Sequence, residues 1–178
     1  MVVREAETEI LTVAQVTGRL YADSSQVGGA LSAQRITLGQ GASGASPHHH
    51  TRASELFYVL QGAAEILTGD RVLTAEQGDL VVVPPRAVHA FAAAPGTEAD
   101  LLVVVTPGIE RFEYFRQLQR VAKGEAALES ILDTQDLYDN HFDENQVWQQ
   151  HLLRRARPFP VSVSSRGAGE GPGRMSRA

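Results

Sequence analysis

The pattern of apolar and polar residues changes near residue 108. Short runs rich in β-branched and aromatic residues fill residues 31–106, and Gly and Pro interrupt them. Such runs at close spacing predict the antiparallel strands of a sandwich or barrel, with one hairpin turning at Gly69 and Asp70. No strand-like run alternates with a helical one before residue 108, which argues against a parallel α/β sheet.

From residue 109 the apolar residues recur every three to four positions, as an amphipathic helix requires. The first two stripes consist of Phe112, Phe115, Leu118 and Val121, and of Leu128, Ile131 and Leu132. A third stripe, in which Val147, Trp148, His151 and Leu152 share a face, follows Asp143 and Gln146, which resemble a capping box. We therefore expect three helices after the strands.

These patterns predict three parts of the chain. Residues 1–108 form a β-barrel, and residues 109–157 form a helical extension whose apolar stripes are covered by the barrel or by a partner subunit. Residues 158–178 combine little apolar surface with many flexible residues, so we expect disorder there. The basic cluster over residues 154–157 is interpreted as a solvated helix end.

Composition narrows the possible functions. The chain has no cysteine, which excludes disulfides, zinc–thiolate sites and a cysteine nucleophile. The net charge of −5 arises within residues 1–108, and an acidic body argues against a nucleic-acid groove. The start of the sequence does not resemble a signal peptide, and no apolar run is long enough to span a bilayer. A cytoplasmic protein without a membrane partner is the expectation.

The stretch SPHHHTRASE, residues 46–55, carries the candidate chemistry. On a strand, His48 and His50 point to one side and His49 to the other, because successive side chains alternate. Glu55 and the distant His89 complete a set of three imidazoles and one carboxylate. This set suits one divalent transition metal (iron, manganese, nickel, cobalt, zinc or copper) and leaves positions open for substrate. The alternative is a polar loop and a lone core histidine.

Two segments, residues 48–62 and residues 78–89, together resemble the two motifs of the cupin superfamily. Its first motif, His-x-His followed by Glu and Gly, is matched by His48, His50, Glu55 and Gly62. Its second motif, Gly, Pro and His, is matched by Gly78, Pro84 and His89. The chain departs from the motifs at Ala42, at Arg86 in place of a Gly and at Ala93 in place of an Asn. None of these departures removes a ligand, but Arg86 puts the turn after Pro84 in question.

The resemblance implies an all-β fold, a jelly-roll-like antiparallel barrel with a C-terminal helical extension. It implies a metal held by His48, His50, Glu55 and His89, and a homodimer. The helices after the barrel look loosely like those of quercetinase-type flavonol dioxygenases. His141 and His151, in these helices, are expected to be surface or packing residues.

Three functions follow from this resemblance. The first is a metal-dependent dioxygenase acting on a hydroxylated aromatic or polyketide-like compound, with Glu55 as base as well as ligand. Phe57, Val59 and Phe91 would offer an apolar interior to a flat substrate, and Arg86 would lean over the barrel mouth. The second is an oxygen-independent cyclase or isomerase like the small cupins of polyketide pathways. The third is a non-enzymatic binding module.

Overall fold

The computed structural model describes residues 1–155. The tail whose disorder we predict lies outside the described residues. The strands are β1 (Glu9–Val13), β2 (Val16–Ala22), β3 (Ser32–Leu38), β4 (His48–His49), β5 (Ser54–Thr68), β6 (Arg71–Glu76), β7 (Leu80–Val83), β8 (His89–Ala93), β9 (Ala99–Thr106) and β10 (His141–Phe142). The helices are α1 (Phe112–Ala122), α2 (Glu129–Leu132), α3 (Gln135–Tyr138) and α4 (Gln146–Arg155), and short 3₁₀ helices cover Glu5–Glu7 and Ser24–Val27.

The strands form two antiparallel sheets that share the long strand β5. The first sheet runs β1-β2-β3-β9-β5, and β7 also pairs with the first half of β5. In the second sheet β6 and β8 flank the second half of β5, and β4 and β10 follow beyond β8. Strand β5 runs without interruption through Gly62, with a register shift between Val59 and Gln61. This irregularity bends one strand from the first sheet into the second.

The core lies between the two sheets, where the inward-facing side chains of both meet. Alternate residues of β5, β8 and β9 supply it, as period-2 patterning predicts. Its largest fully buried side chains include Leu38, Phe57, Ile66 and Leu101. The antiparallel β-barrel with C-terminal helices confirms the predicted fold class. No helix within residues 1–155 combines the length and the apolar character needed to cross a membrane.

The motif residue Gly62 sits where the chain admits only glycine. Its φ is +74°, and a Cβ atom there would overlap the backbone carbonyl oxygen of Glu98. We expect Gly62→Ala to destabilise the fold by about 2 to 5 kcal/mol, since left-handed backbone strain and a backbone clash add. Gly96→Ala is the matched control: its φ is +76° with open space around it, so about 1 to 2 kcal/mol is expected. Urea denaturation measures the free energy of unfolding of both variants. Equal losses of stability would show that the structure relieves the clash at position 62.

The turn after Pro84 keeps its geometry although Arg86 replaces the motif glycine. Arg86 adopts a φ of +68°, the left-handed conformation that favours glycine. Its backbone N–H donates to the carbonyl oxygen of His50 at 2.7 Å, and the N–H of Ala87 donates to that of Pro84 at 3.2 Å. The surrounding hydrogen bonds therefore hold the turn despite the side chain.

The helices differ from the prediction in number and in the side chains that they bury: four follow the barrel strands within residues 1–155, where three are expected. The first stripe is real, but α1 packs along β1 and turns Phe115, Leu118 and Val121 toward a cavity. The second stripe yields only the short helix α2, in which Ile131 is buried. Leu128, just before α2, and Leu132 at its end are exposed. Helix α2 has four residues, which is about one turn. It therefore buries one side chain of the stripe and leaves both leucines at the surface.

The third helix is capped by a different residue from the one that the sequence suggests. The side-chain oxygen of Asn145, not Asp143, accepts the backbone N–H of Trp148 at 2.9 Å. Trp148 is buried against Leu67 and the neighbouring alanines of β8, whereas Val147 points to solvent. The predicted shared face of α4 is therefore narrower than the sequence pattern implies.

Candidate metal centre

Four side chains from three strand segments converge between the sheets. His48 lies on β4, His50 directly follows it, Glu55 lies at the head of β5, and His89 begins β8. Each is at most 3% exposed, and their potential ligand atoms all lie within 4.8 Å of one another. The pairing of His48 with His89 across β4 and β8 brings the two motifs together. The arrangement could hold a metal ion.

All three imidazoles are oriented by a backbone carbonyl. The Nδ1–H groups of His48 and His89 donate to Ser46 at 2.8 Å and to Ala87 at 2.9 Å. That of His50 donates to the carbonyl oxygen of Asp139. A carbonyl oxygen only accepts, so Nδ1 carries the proton in each ring and Nε2 presents its lone pair. This is the orientation that metal-ligating histidines need.

The three Nε2 atoms face a single carboxylate oxygen. Glu55 Oε2 lies 2.6 Å from Nε2 of His89, 3.3 Å from that of His50 and 3.8 Å from that of His48. Glu55 Oε1 makes no hydrogen bond within residues 1–155. Glu55 also borders a cavity.

The electrostatics of the group call for a cation. Burial alone would raise the pKa of the Glu55 carboxyl, but hydrogen bonding with His50 and His89 holds that pKa well below its usual range. Burial, together with the neighbouring His89, lowers the pKa of His48 well below its usual value. Since each Nδ1 proton is already donated to a carbonyl, three Nε2 atoms and one carboxylate oxygen face one another. A single proton pairs only two of these groups, whereas a divalent ion pairs all four.

His49 points away from the group, as strand alternation predicts. Its Nδ1 lies 2.6 Å from Oδ2 of Asp143, and its ring stacks on that of His141 at 5.2 Å. His141 lies on β10, opposite His49, and not in a helix as the sequence suggests. His151 pairs with Glu65 at 2.8 Å on the outer face of the second sheet. Neither His141 nor His151 joins the buried group.

Asp139 braces the segment that carries the histidines. Its buried carboxylate accepts hydrogen bonds from the backbone N–H and hydroxyl of Thr51 and from the backbone N–H of Arg52. Burial alone would raise the pKa of Asp139, but these bonds and the charge of Arg52 lower it. The same residue supplies the carbonyl that orients His50. The sequence gives no sign of this role, since Asp139 is 84 or more residues distant from every predicted ligand except His89.

We expect Asp139→Ala to lower the free energy of unfolding by about 3 kcal/mol, because buried donors lose a charged acceptor. Asp136→Ala, three residues earlier and fully exposed, is the matched control and should leave the midpoint unchanged. Urea denaturation at neutral pH measures both. The same midpoint for the two variants would contradict the bracing role.

A cavity of about 450 Å³ opens beside the four residues. His48 and Glu55 border it on one side, and α1 with β1 borders it on another. Its walls are mostly apolar, with Leu11, Val13 and Phe115 among them. Both its volume and its lining are typical of small-molecule sites.

The predicted substrate-binding residues fall in different places. Phe91 borders the cavity, against Gly44, where a Cβ atom would collide with its ring. Phe57 and Val59 are fully buried in the core and do not line the cavity. Arg86 is exposed and does not line it either. Besides His48 and Glu55, the buried polar residues of its lining are Arg111, Asn140 and Gln34, and the sequence pattern singles out none of these three.

Part of the chain matches a known protein family. The model of the cupin domain family matches residues 34–106. A search of curated protein sequences found no significant match. Among solved structures, an RmlC-like cupin from Shewanella frigidimarina is 22% identical, with a TM-score of 0.52 over 62% of this chain and 92% of that chain.

Two further structures carry described activities. Streptomyces Pac13 with uridine, a nucleoside dehydratase, is 18% identical, with a TM-score of 0.52 over 62% of this chain and 84% of that one. The polyketide cyclase RemF from Streptomyces resistomycificus is 20% identical, with a TM-score of 0.50 over 59% and 78%. At these identities the likeness establishes the fold and no activity. Residues 34–106 match the cupin domain family, and the barrel that contains them has the fold of these cupin structures.

Proposed function

We propose that this chain is a metal-dependent enzyme and that His48, His50, Glu55 and His89 hold one divalent transition metal. The observation that carries the proposal is the convergence of three Nε2 lone pairs on Glu55 Oε2, with every Nδ1–H already donated to a backbone carbonyl. Such an arrangement is built for a cation with several coordination positions.

The substrate that we propose is a hydroxylated aromatic or polyketide-like molecule. The apolar cavity of about 450 Å³ beside the site supports this, because its volume and lining accommodate a flat apolar body. Phe91 and Phe115 place aromatic faces on its walls. The few polar groups at its edge would fix the orientation of the substrate.

Glu55 is the residue that we assign to proton transfer. Its Oε2 faces the imidazoles, and the residue borders the cavity. A substrate hydroxyl in the cavity could give its proton to Oε1, which makes no hydrogen bond within residues 1–155. When bound, the metal would act as a Lewis acid, and in an oxygenase it would bring the electron-rich substrate and dioxygen together.

A dioxygenase is the reaction that we place first, because a largely apolar cavity beside the four residues suits the electron-rich ring of such a substrate. An oxygen-independent cyclase is the second candidate, favoured by the similarity of the barrel to that of the polyketide cyclase RemF. In both reactions Glu55 would move the proton. The two reactions differ in the need for oxygen.

Oxygen consumption tests the proposal. The protein, loaded separately with iron, manganese, nickel, cobalt, zinc and copper, is supplied with a flavonol or a related polyphenol in an oxygen-electrode cell. We expect oxygen uptake above the rate without enzyme for at least one metal, and no turnover under anaerobic conditions. Uptake at the rate without enzyme across all metals and substrates would favour the cyclase.

A further inference from the structure

A second charged group borders the same cavity. Arg111, directly before α1, is only 3% exposed and lines the cavity that His48 and Glu55 also line. Arginine keeps its charge at all ordinary pH values, so this is a buried cation. Within residues 1–155 no carboxylate oxygen lies within 4.0 Å of its guanidinium. Arg111 therefore lacks the counter-charge that a buried arginine ordinarily has.

The side chains in contact with the Arg111 guanidinium are neutral. Its Nη1 donates to Oδ1 of Asn140 at 3.3 Å, and its guanidinium lies 4.8 Å and 5.2 Å from the ring centroids of Tyr114 and Phe115. Its Nε has no hydrogen-bond partner among residues 1–155. The nearby carboxylate of Asp23 accepts from the backbone N–H groups of Arg111 and Phe112. The ring faces attract the cation but do not neutralise it.

Asn140 extends the set of donors. Because its Oδ1 accepts from Arg111, its Nδ2 is left as a donor, and that atom has no partner within the described residues. Asn140 is itself 2% exposed and lines the cavity. A buried guanidinium beside a free amide donor is chemistry that suits an anionic oxygen group, since both supply N–H bonds to it.

We propose that Arg111 and Asn140 bind an anionic oxygen group of the substrate, such as a carboxylate or an ionised phenol or enol. The substrate class is then an amphiphile, with an apolar body against Leu11 and Phe115 and one negative end at Arg111. This inference deepens the proposed function, because it concerns the same cavity. It does not require the metal, since Arg111 and the four candidate ligands are separate groups.

Calorimetric titration with 1-naphthoate and the uncharged 1-naphthamide tests the subsite on the full chain. We expect the wild type to bind the naphthoate about 10 to 100 times more tightly, as a charge-assisted hydrogen bond provides. Arg111→Gln should bring the two affinities within about twofold, and Arg111→Lys should restore part of the preference. The control Arg86→Gln, which removes an exposed arginine outside the cavity lining, should behave as the wild type.

Thermal unfolding identifies which variants fold. If Arg111→Gln gives no cooperative transition, Asn140→Leu takes its place, with an expected loss of about tenfold in the preference. Equal affinities of the two probes in the wild type, or no binding of either, would overturn the subsite.

The His50→Ala variant separates this proposal from the proposed function. A preference for naphthoate that persists in His50→Ala and disappears in Arg111→Gln supports the subsite, even if the wild type binds no metal. A preference that disappears in His50→Ala and persists in Arg111→Gln places the anion on the metal and overturns it.

Discussion

His50→Ala is expected to abolish stoichiometric metal binding, while His49→Ala retains it. The His50 ring faces Glu55 Oε2 at 3.3 Å from within the barrel, whereas the His49 ring stacks on His141 outside the buried group. Removing one of four ligands costs affinity directly and leaves Glu55 short of a partner. Elemental analysis of natively purified protein measures metal per chain. Because positions 49 and 50 are adjacent, the two variants compare a side chain that points into the barrel with one that points out of it.

Stability provides a second readout of the same prediction. A metal that binds only the folded state raises the unfolding temperature, so a chelator should lower it in the wild type and in His49→Ala. The chelator should leave His50→Ala unchanged. Equal metal loss in both variants would refute the assignment of sides, and a wild-type protein that never binds a divalent metal would refute the site.

Glu55→Gln is expected to retain appreciable metal but to lose most of its turnover, by about 100- to 10,000-fold. The amide keeps the shape of the side chain and an oxygen for the metal, but it removes the negative charge that accepts a proton. The loss should therefore appear mainly in kcat, with metal content measured on the same sample. The rate is followed as oxygen uptake, or as product formation if the reaction needs no oxygen.

A matched change at the other buried glutamate controls for this substitution. Glu65 lies on the same strand but pairs with His151 on the outside of the barrel, and it does not line the cavity. Glu65→Gln should turn over at the wild-type rate. If Glu55→Gln also did so, Glu55 would be at most a ligand, and another group would have to take the proton.

The barrel could be predicted from the sequence because its strands alternate with period 2 and their turns are marked by Gly and Pro. The hairpin at Gly69 and Asp70 is present where it is expected, between Thr68 and Arg71. Alternation separates His48 and His50 from His49, and the resemblance to the cupin motifs added Glu55 and His89 to the predicted group.

The cavity residues could not be predicted in the same way. Phe57 and Val59 were expected to face the substrate, but a strand pattern gives the inner face and not the depth at which a side chain lies. Arg111 and Asn140 have no periodic signal, since they lie at a helix start and in a short connection. Their importance depends on contacts between segments distant in sequence.

Local spacing and alternation thus determined the strands, the inward side of the HHH segment and the ligand set that resembles a cupin. Only the tertiary structure decided that α1 lines the cavity, that β10 pairs with β4, and that Asp139 orients His50. The physical reason is that alternation is a property of neighbouring residues, whereas a hydrogen bond from His50 to a carbonyl 89 residues away depends on how the whole chain packs.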